Sequence, residues 1–536
     1  MRKSIGKNIF IGASILAIAG IFSRAIGAAY KIPLTNTLGA NGMGVYYLIF
    51  PFYSLLLVLS SSGIATAVSS IVAKERALGR KKNEVIVFRV AILYSLVLSL
   101  VGALMMILLS KDISLLQGNV NAKLGYIAIA PALVFSSMIA VVRAYFQGLQ
   151  DMFPTSISYI VEQVVKVVFG LYFAKLFLAY GVEYSVFGAI LGVSISELVS
   201  FVILIINYFV FAKKNKFAYV DADQPIERYT YIDAFKLIFK YSLPATFSSI
   251  IIPITSFFDS FFVINMLTKS GFTSAVATSL YGINNGIVSS LINLPIIFTS
   301  ALSTAMIPNI SSTTNDTKEI MSARCSMFVK VTFFITLPCM IFLIIYAKDI
   351  VYLLYSRGLD SRVINEYAFA YKLIIISSSS VLYYGFLQTF TAILQAIGKP
   401  IQPLISLLVA LIVRFVLAGI LTIRPSLNIF GIAISQVIFL TIACLMCLYF
   451  TKREVDLKFS IYRMFLGPIF AVSIASIISI GLRDLLINIT SIYIYCIGTA
   501  VIGVGVYIVM ILALKCFSAE EKSMLPQFSK KKKRIV

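Results

Sequence analysis

The feature that most limits how this chain can fold is a succession of apolar runs, each about 20 residues long and almost free of charge. A helix of that length crosses a hydrocarbon layer roughly 30 Å thick. Lipid cannot satisfy backbone polar groups, so such spans must be helices or a closed barrel; continuous rather than alternating apolarity selects helices. Hydrophobic residues make up 60% of the 536 positions and charged residues 12%, far from the polar surface a soluble protein of this size needs. The expected fold class is an all-α polytopic membrane protein.

Fourteen spans are predicted: 8–32, 43–73, 85–110, 122–146, 154–178, 185–211, 236–267, 275–308, 325–347, 365–394, 400–422, 428–450, 461–481 and 490–515. Arg24 interrupts the first, which favours a retained helix over a cleaved signal. The formal net charge is +23, from 45 Lys+Arg against 22 Asp+Glu. The basic residues cluster in alternate loops, at the N-terminus, 74–84, 212–236, 309–324, 451–463 and the tail. The positive-inside bias therefore explains them without nucleic acid and puts both termini in the cytoplasm. The expected organisation is a first lobe over 1–211, a linker over 212–235, a second lobe over 236–450, two further helices over 451–516 and a basic tail over 517–536. The tail, with Lys530 to Arg534, is placed to attract anionic lipid.

The two lobes echo each other. Gln147-Gly148-Leu149-Gln150-Asp151 leads to Pro154 and then to a span carrying Glu162 and Lys166. About 245 residues on, Leu394-Gln395-Ala396-Ile397-Gly398-Lys399 leads to Pro400 and a span carrying Arg414. Phe50-Pro51 and Leu294-Pro295 repeat at a similar offset. An even number of spans per repeat relates the lobes by an axis along the membrane normal, as in a duplicated transporter.

Charges inside such spans cost several kcal/mol unless they face a partner or water, and so they mark candidate sites. These are Arg24 and Lys31 in span 1, Glu162 and Lys166 in span 5, Glu197 in span 6, Asp259 in span 7, Lys372 in span 10 and Arg414 in span 11. Arg24 offers a planar donor fork suited to phosphate oxygens. Lys31 lies nearer the surface, where it either joins the cavity or snorkels. Glu162 and Lys166, four apart with the acid first, read as an internal ion pair that transport breaks and remakes, or as cavity groups. Arg414 is a cavity, snorkelling or ion-pair residue. Asp259, at a depth close to that of Arg24, is expected to meet it when one gate is closed. Lys31, Lys372 and Arg143 tip a central cavity positive, which suits an anionic headgroup.

Enzyme signatures are absent: no His, no Gly-rich phosphate loop, no paired carboxylates on an outer loop and no acidic metal cluster. Cys444 and Cys447 have CxxC spacing but no second pair and sit mid-span, so they read as small buried side chains. No cofactor is expected; membrane potential or an ion gradient would drive the cycle.

Arg143-Ala-Tyr-Phe-Gln-Gly-Leu-Gln-Asp-Met-Phe-Pro154 followed by Val161-Glu162-Gln163-Val164-Val165-Lys166 resembles the signature of the stage V sporulation protein B group. Leu243-Pro244, Asp259-Ser260-Phe261, Leu294-Pro295 and Arg424-Pro425-Ser426-Leu427 fit the same group, over nearly the whole chain. That group sits in the multidrug/oligosaccharidyl-lipid/polysaccharide exporter superfamily and is similar to MurJ-type lipid II flippases. The resemblance implies two six-helix lobes in a V, alternating access, and spans 13 and 14 forming a groove for a polyprenyl tail. It also implies cavity cations that contact a diphosphate, with Arg24 matching the first-span arginine and Lys31 near a second basic position. The chain departs from the better-studied pattern in having no charge from Asn41 to Ala73 or from Phe272 to Asn309.

The function expected is a flippase in the bacterial plasma membrane that moves an undecaprenyl-diphosphate-linked cell-wall precursor, lipid II or a related lipid-linked oligosaccharide, to the outer leaflet. Cell-wall synthesis proteins are expected partners. The alternatives are a cation-coupled multidrug exporter, whose cavity should be acidic, a glycan polymerase or ligase using Asp349, Asp360 or Asp484, and a scaffold for wall-synthesis machinery.

Overall fold

Two glycine- and proline-dependent breaks account for most of the differences between the expected spans and the helices that form. The computed structural model describes residues 2–215, 229–311, 318–356, 358–359, 365–457, 459–487 and 489–517, and every regular element among them is helical. The tail, most of the 212–235 linker and Asp360 lie outside the described residues.

The first helix, α1 (Arg2–Leu57), takes in the first expected span and runs on into the second. The loop expected over 33–42 is reduced to a kink at Gly39, with φ 70° and ψ 176°, a left-handed conformation that costs glycine little and a side-chain-bearing residue much more. Before it, the hydroxyls of Thr35 and Thr37 donate to the carbonyls of Lys31 (2.8 Å) and Pro33 (2.9 Å), a back-bonding that tends to bend a helix. The second break falls where span 7 was expected. Pro253 has no N–H to donate one turn back, and the chain divides there into two helices of 19 residues. Eleven helices among the described residues are long and apolar enough to cross a membrane, against fourteen expected spans. The first of the eleven, Ile18–Ala77, holds two expected spans, whereas 154–178 and 236–267 are not among them.

The chain forms two compact units. The first comprises Met1–Ser290, Tyr355–Ala370 and Ala418–Ile432, so it takes in the beginning of the expected second lobe. After α1 come a π-turn at Val58–Ser62 and the helices α2 (Gly63–Ala77), α3 (Lys81–Leu108), α4 (Ser110–Leu116), α5 (Lys123–Gly148), α6 (Phe153–Phe177), α7 (Val182–Asn215), α8 (Tyr231–Ser249), α9 (Ile251–Lys269) and α10 (Ser274–Gly282). Val68, Val72, Val87, Val142, Phe146 and Leu204 form one buried cluster from α2, α3, α5 and α7, and Ala234 and Ile238 of α8 complete it. A capping box between Thr230 and Asp233 starts α8. Just before it, Tyr229 is tied to the α2–α3 turn. Its N–H donates to Asn83 Oδ1 (3.1 Å) and its hydroxyl to Glu75 Oε1 (2.9 Å), while Asn83 donates to the other Glu75 oxygen (3.0 Å). Glu75 is fully buried, and these donors replace the water it has lost.

The second unit comprises Leu291–Leu354, Tyr371–Leu417 and Ala433–Val536. Its helices are α11 (Ser289–Ser311), α12 (Lys318–Ile345), α13 (Ala347–Tyr355), α14 (Glu366–Ser377), α15 (Ser379–Ala396), α16 (Ile401–Thr422), α17 (Ile429–Glu454), α18 (Gly467–Leu486) and α19 (Ile492–Ala513); α14, α16 and α17 straddle the division, and α11 and α13 cross it by their end residues. The expected helices 13 and 14 are α18 and α19, which pack on each other. Tyr346 joins them, its hydroxyl lying 2.6 Å from both Ser479 Oγ and Thr499 Oγ1. Their other faces are openly apolar, with Ile477, Val501 and Val509 exposed.

Candidate functional site

The charged residues of the first unit converge because small residues let their helices approach. A Cβ added at Gly192 of α7 would lie 2.4 Å from the Gly170 backbone of α6, so those helices need glycine there. One added at Gly27 of α1 would lie 2.9 Å from Gln163 Oε1, the movable end of a side chain on α6. The same point is 4.0 Å from Lys166 Nζ. Arg24, Gly27 and Lys31 are related as i, i+3 and i+7 and share one face of α1. Lys166 therefore meets that face between the two cations. Lys31 Nζ lies 5.3 Å from the centroid of the Tyr47 ring, and Lys166 feels the charges of Glu162, Glu197 and Lys31. Lys31 is half-buried over an aromatic ring, and Arg24 is exposed.

Beside this strip is a cavity of about 530 Å³ bounded by α1, the π-turn, α2, α5, α6 and α7. Arg143 of α5 commands it. Its Nη2 donates to Glu162 Oε2 at 2.7 Å and to Ser200 Oγ at 3.3 Å, its Nε donates to Ser158 Oγ at 2.8 Å, and its guanidinium lies 3.9 Å from the Tyr159 centroid. Glu162 is thus held by Arg143 and not, as its spacing implied, by Lys166. Helical neighbours at i+4 compete poorly with a rigid donor fork facing them from another helix. Glu162 also accepts from Gln163 Nε2 at 2.9 Å. Glu197 lines the same cavity, as do Ser136 and Tyr53, whose hydroxyls lie 2.8 Å apart. Three cations, Lys31, Arg143 and Lys166, accompany two carboxylates, Glu162 and Glu197, leaving this cluster a formal excess of one positive charge.

Of the remaining expected residues, Arg414 and Lys372 belong to the second unit and Asp259 to the first. Asp259 is half-buried on α9, a helix that packs against α1. Arg414 belongs to the second unit, buried on α16 at 5.7 Å from the Phe439 centroid, so it does not snorkel. Lys372 is exposed. Cys444 and Cys447 are buried free thiols, as their apolar surroundings implied. Lys330 on α12 is buried against Phe334 and Phe517; it is an intramembrane charge that the sequence reading passed over. Asp349, one of the acids considered for an enzyme, is held by Arg483 at 3.3 Å, and burial raises its pKa more than that neighbour lowers it. Among the described residues no three His, Cys, Asp or Glu side chains gather as a metal site.

A second feature escaped the sequence reading altogether. At the end of the first unit read as outer, polar side chains stitch α9 and α10 to the first six expected spans. Asn41 donates to the Ala275 carbonyl (2.9 Å), Gln117 to Ser260 Oγ (2.9 Å), Asn119 to Thr278 Oγ1 (2.9 Å), Asn265 to the Leu116 carbonyl (2.7 Å) and Ser274 to the Gly118 carbonyl (2.7 Å). Gly44 lies so near the Thr278 carbonyl that a Cβ would overlap it. Asn and Gln at the ends of apolar runs look like ordinary loop residues, and nothing in their spacing reveals the partner.

The sequence pattern of the family described as "Polysaccharide biosynthesis protein" matches residues 9–314, more than half of the chain. The chain belongs to that family. This polysaccharide biosynthesis family member is 25% identical to "Stage V sporulation protein B" of Bacillus subtilis (strain 168) over 528 residues, covering 97% of this chain and 98% of the relative. It is 24% identical to "Lipid II flippase MurJ" of the same organism, covering 77% of each. Among solved structures, "Lipid II flippase MurJ, inward closed conformation" superposes with a TM-score of 0.67 at 18% identity, covering 93% of this chain and 98% of the other. That likeness establishes a polytopic helical fold of the same kind.

Proposed function

We propose that this family member is a flippase of the bacterial plasma membrane. It carries an undecaprenyl-diphosphate-linked cell-wall precursor, lipid II or a related lipid-linked oligosaccharide, to the outer leaflet by alternating access of two six-helix lobes. Both termini are cytoplasmic in this reading. The observation that carries it is the cationic strip of Arg24, Lys166 and Lys31 along one glycine-lined face. A diphosphate offers oxygens that an ammonium or a guanidinium in an apolar wall binds through charge-assisted hydrogen bonds. Arg24 is exposed, and Lys31 and Lys166 extend the strip along the same face. Arg414 supplies a basic group from the second lobe. The exposed apolar faces of α18 and α19 suit the polyprenyl tail, which stays in lipid. The names of the sequence relatives, a sporulation protein and a lipid II flippase, point the same way.

When the outer gate closes, Asp259 takes the place of the departed phosphate beside Arg24. Membrane potential or an ion gradient resets the cycle, since one charge moved across the field is worth about 2.3 kcal/mol per 100 mV. A drug exporter for organic cations would need an acidic surface where this strip is basic. A polymerase or ligase would need an unencumbered outer acid, and Asp349 is engaged by Arg483.

The decisive experiment is translocation of labelled lipid II in proteoliposomes. Arg24→Ala should slow it by roughly tenfold or more, the worth of one charge-assisted bond to phosphate, and Arg24→Lys should recover part of the loss. Unchanged translocation in both variants would remove Arg24 from the substrate path. Reversing the charges of Arg24 and Asp259 together should restore more activity than either reversal alone; a double reversal no better than the singles would reject their pairing.

A further inference from the structure

On an apolar outer face of the first unit, α3 and α7 leave a groove of about 1090 Å³ that shares no residue with the cationic strip. Its wall is built by stacking: the Phe88 ring of α3 lies 4.7 Å from the Tyr208 ring of α7, which sets the register of the two helices. Beyond that contact, Leu93 and Leu96 run along one side and Ile205 along the other. From Arg89 to Leu96 is roughly 10 Å of helix, and α7 runs the opposite way, from Ile205 to Lys213, over a similar length. One end of the groove is therefore apolar and the other carries two cations. Arg89 and Lys213 are both exposed, and among the described residues no acidic one lines the groove. Among the described residues neither has an ion-pair partner, whereas Arg76, nearby in sequence, pairs with Glu84 at 3.4 Å. Both cations lie towards the end of the helices that the loop charges mark as cytoplasmic.

An amphiphilic groove facing lipid, basic at the interface and greasy towards the bilayer centre, complements one kind of molecule in its surroundings. We propose that this groove binds an anionic glycerophospholipid of the inner leaflet, with its phosphate between Arg89 and Lys213 and an acyl chain along Leu93, Leu96 and Ile205. The site is separate from the cationic strip of α1 and from α18 and α19, so it does not depend on the identity of the transported lipid. Two interfacial cations attract an anionic headgroup, and the groove gives it a fixed seat in place of a diffuse layer.

The test uses the full-length protein, equilibrated with vesicles holding equal amounts of phosphatidylglycerol and phosphatidylcholine, then extracted and examined by native mass spectrometry. The parent should retain phosphatidylglycerol over phosphatidylcholine by roughly tenfold. Arg89→Gln with Lys213→Gln should bring the two lipids to parity. Lys236→Gln with Lys240→Gln, which alters exposed cations on α8, should leave the preference intact. Leu93→Trp, which fills the groove, should reduce retention of both. Equal retention of the two lipids by the parent overturns the proposal, as does an undiminished preference in the Arg89/Lys213 variant. Displacement of phosphatidylglycerol by an equal amount of undecaprenyl phosphate also overturns it, by assigning the groove to the carrier lipid. All variants change exposed side chains, and an elution profile matching that of the parent checks that they fold.

Discussion

Arg143 carries more of the candidate site than any residue its sequence neighbourhood would single out. It ends the apolar part of α5, meets Glu162, Ser158 and Ser200, and covers Tyr159. The Arg143 and Glu162 side chains are 12% and 14% exposed, so each depends on the other for most of its lost hydration. Breaking such a pair from one side costs about 3–5 kcal/mol, because the survivor is left as an uncompensated buried charge. Arg143→Ala should therefore lower the melting temperature in detergent markedly. Adding Glu162→Gln to it should recover a good part of the loss, since no charge is then stranded. If the double variant melts no higher than the single, the carboxylate is not what Arg143 compensates. The same reasoning explains why Lys166 is left to serve the strip beside Gly27: its expected partner is already taken.

Between helices, the outer seam of the first unit is the element whose strength sets how readily that end opens. Interhelical hydrogen bonds in membranes average about 0.6 kcal/mol, so the five side-chain bonds from Asn41, Gln117, Asn119, Asn265 and Ser274 together contribute about 3 kcal/mol. One or two charges moving through the membrane field supply a comparable amount. A seam of this strength suits a gate, being firm at rest and within reach of the driving force. Gln117→Ala with Asn119→Ala should weaken it by about 1 kcal/mol and raise the open population several-fold. The measurement is the labelling rate of a cysteine placed at Ala277, buried on α10, by a membrane-impermeant thiol reagent. A rate unchanged by the double alanine variant would show that these side chains do not hold the end closed. The small residues matter as much as the polar ones, because Gly44 lets the backbones approach closely enough for the bonds to form.

Across the chain, charge outside the membrane bears on stability as well as topology. Burial on α13 raises the pKa of Asp349 above the ordinary aspartate range, and Arg483 lowers it only in part. The folded state then holds that proton more tightly than the unfolded one. Its contribution to stability is most favourable in acid and declines as pH rises from the ordinary aspartate range through the raised value. Melting of the parent and of Asp349→Asn between pH 3 and 7 should show the parent losing stability relative to the variant as pH rises through that window. A constant difference would mean that Asp349 titrates alike in both states.

Much of this was legible in one dimension. Apolar length requires helices because lipid offers no hydrogen bonds, and a charge within an apolar run marks a site because its cost must be met. Arg24, Lys31, Glu162, Lys166 and Glu197 were visible for that reason. What the linear pattern could not state was who meets whom. Glu162 has a nearer neighbour in sequence at Lys166 than at Arg143, yet Arg143 reaches it because α5 and α6 are brought together through packing. The assignment of α9 and α10 to the first compact unit, the tie of Tyr229 to Glu75, and the outer seam share that origin. Local spacing determines which side chains lie on one face of one helix; contacts between helices depend on shape matching over many small residues at once, and that is decided only when the helices pack.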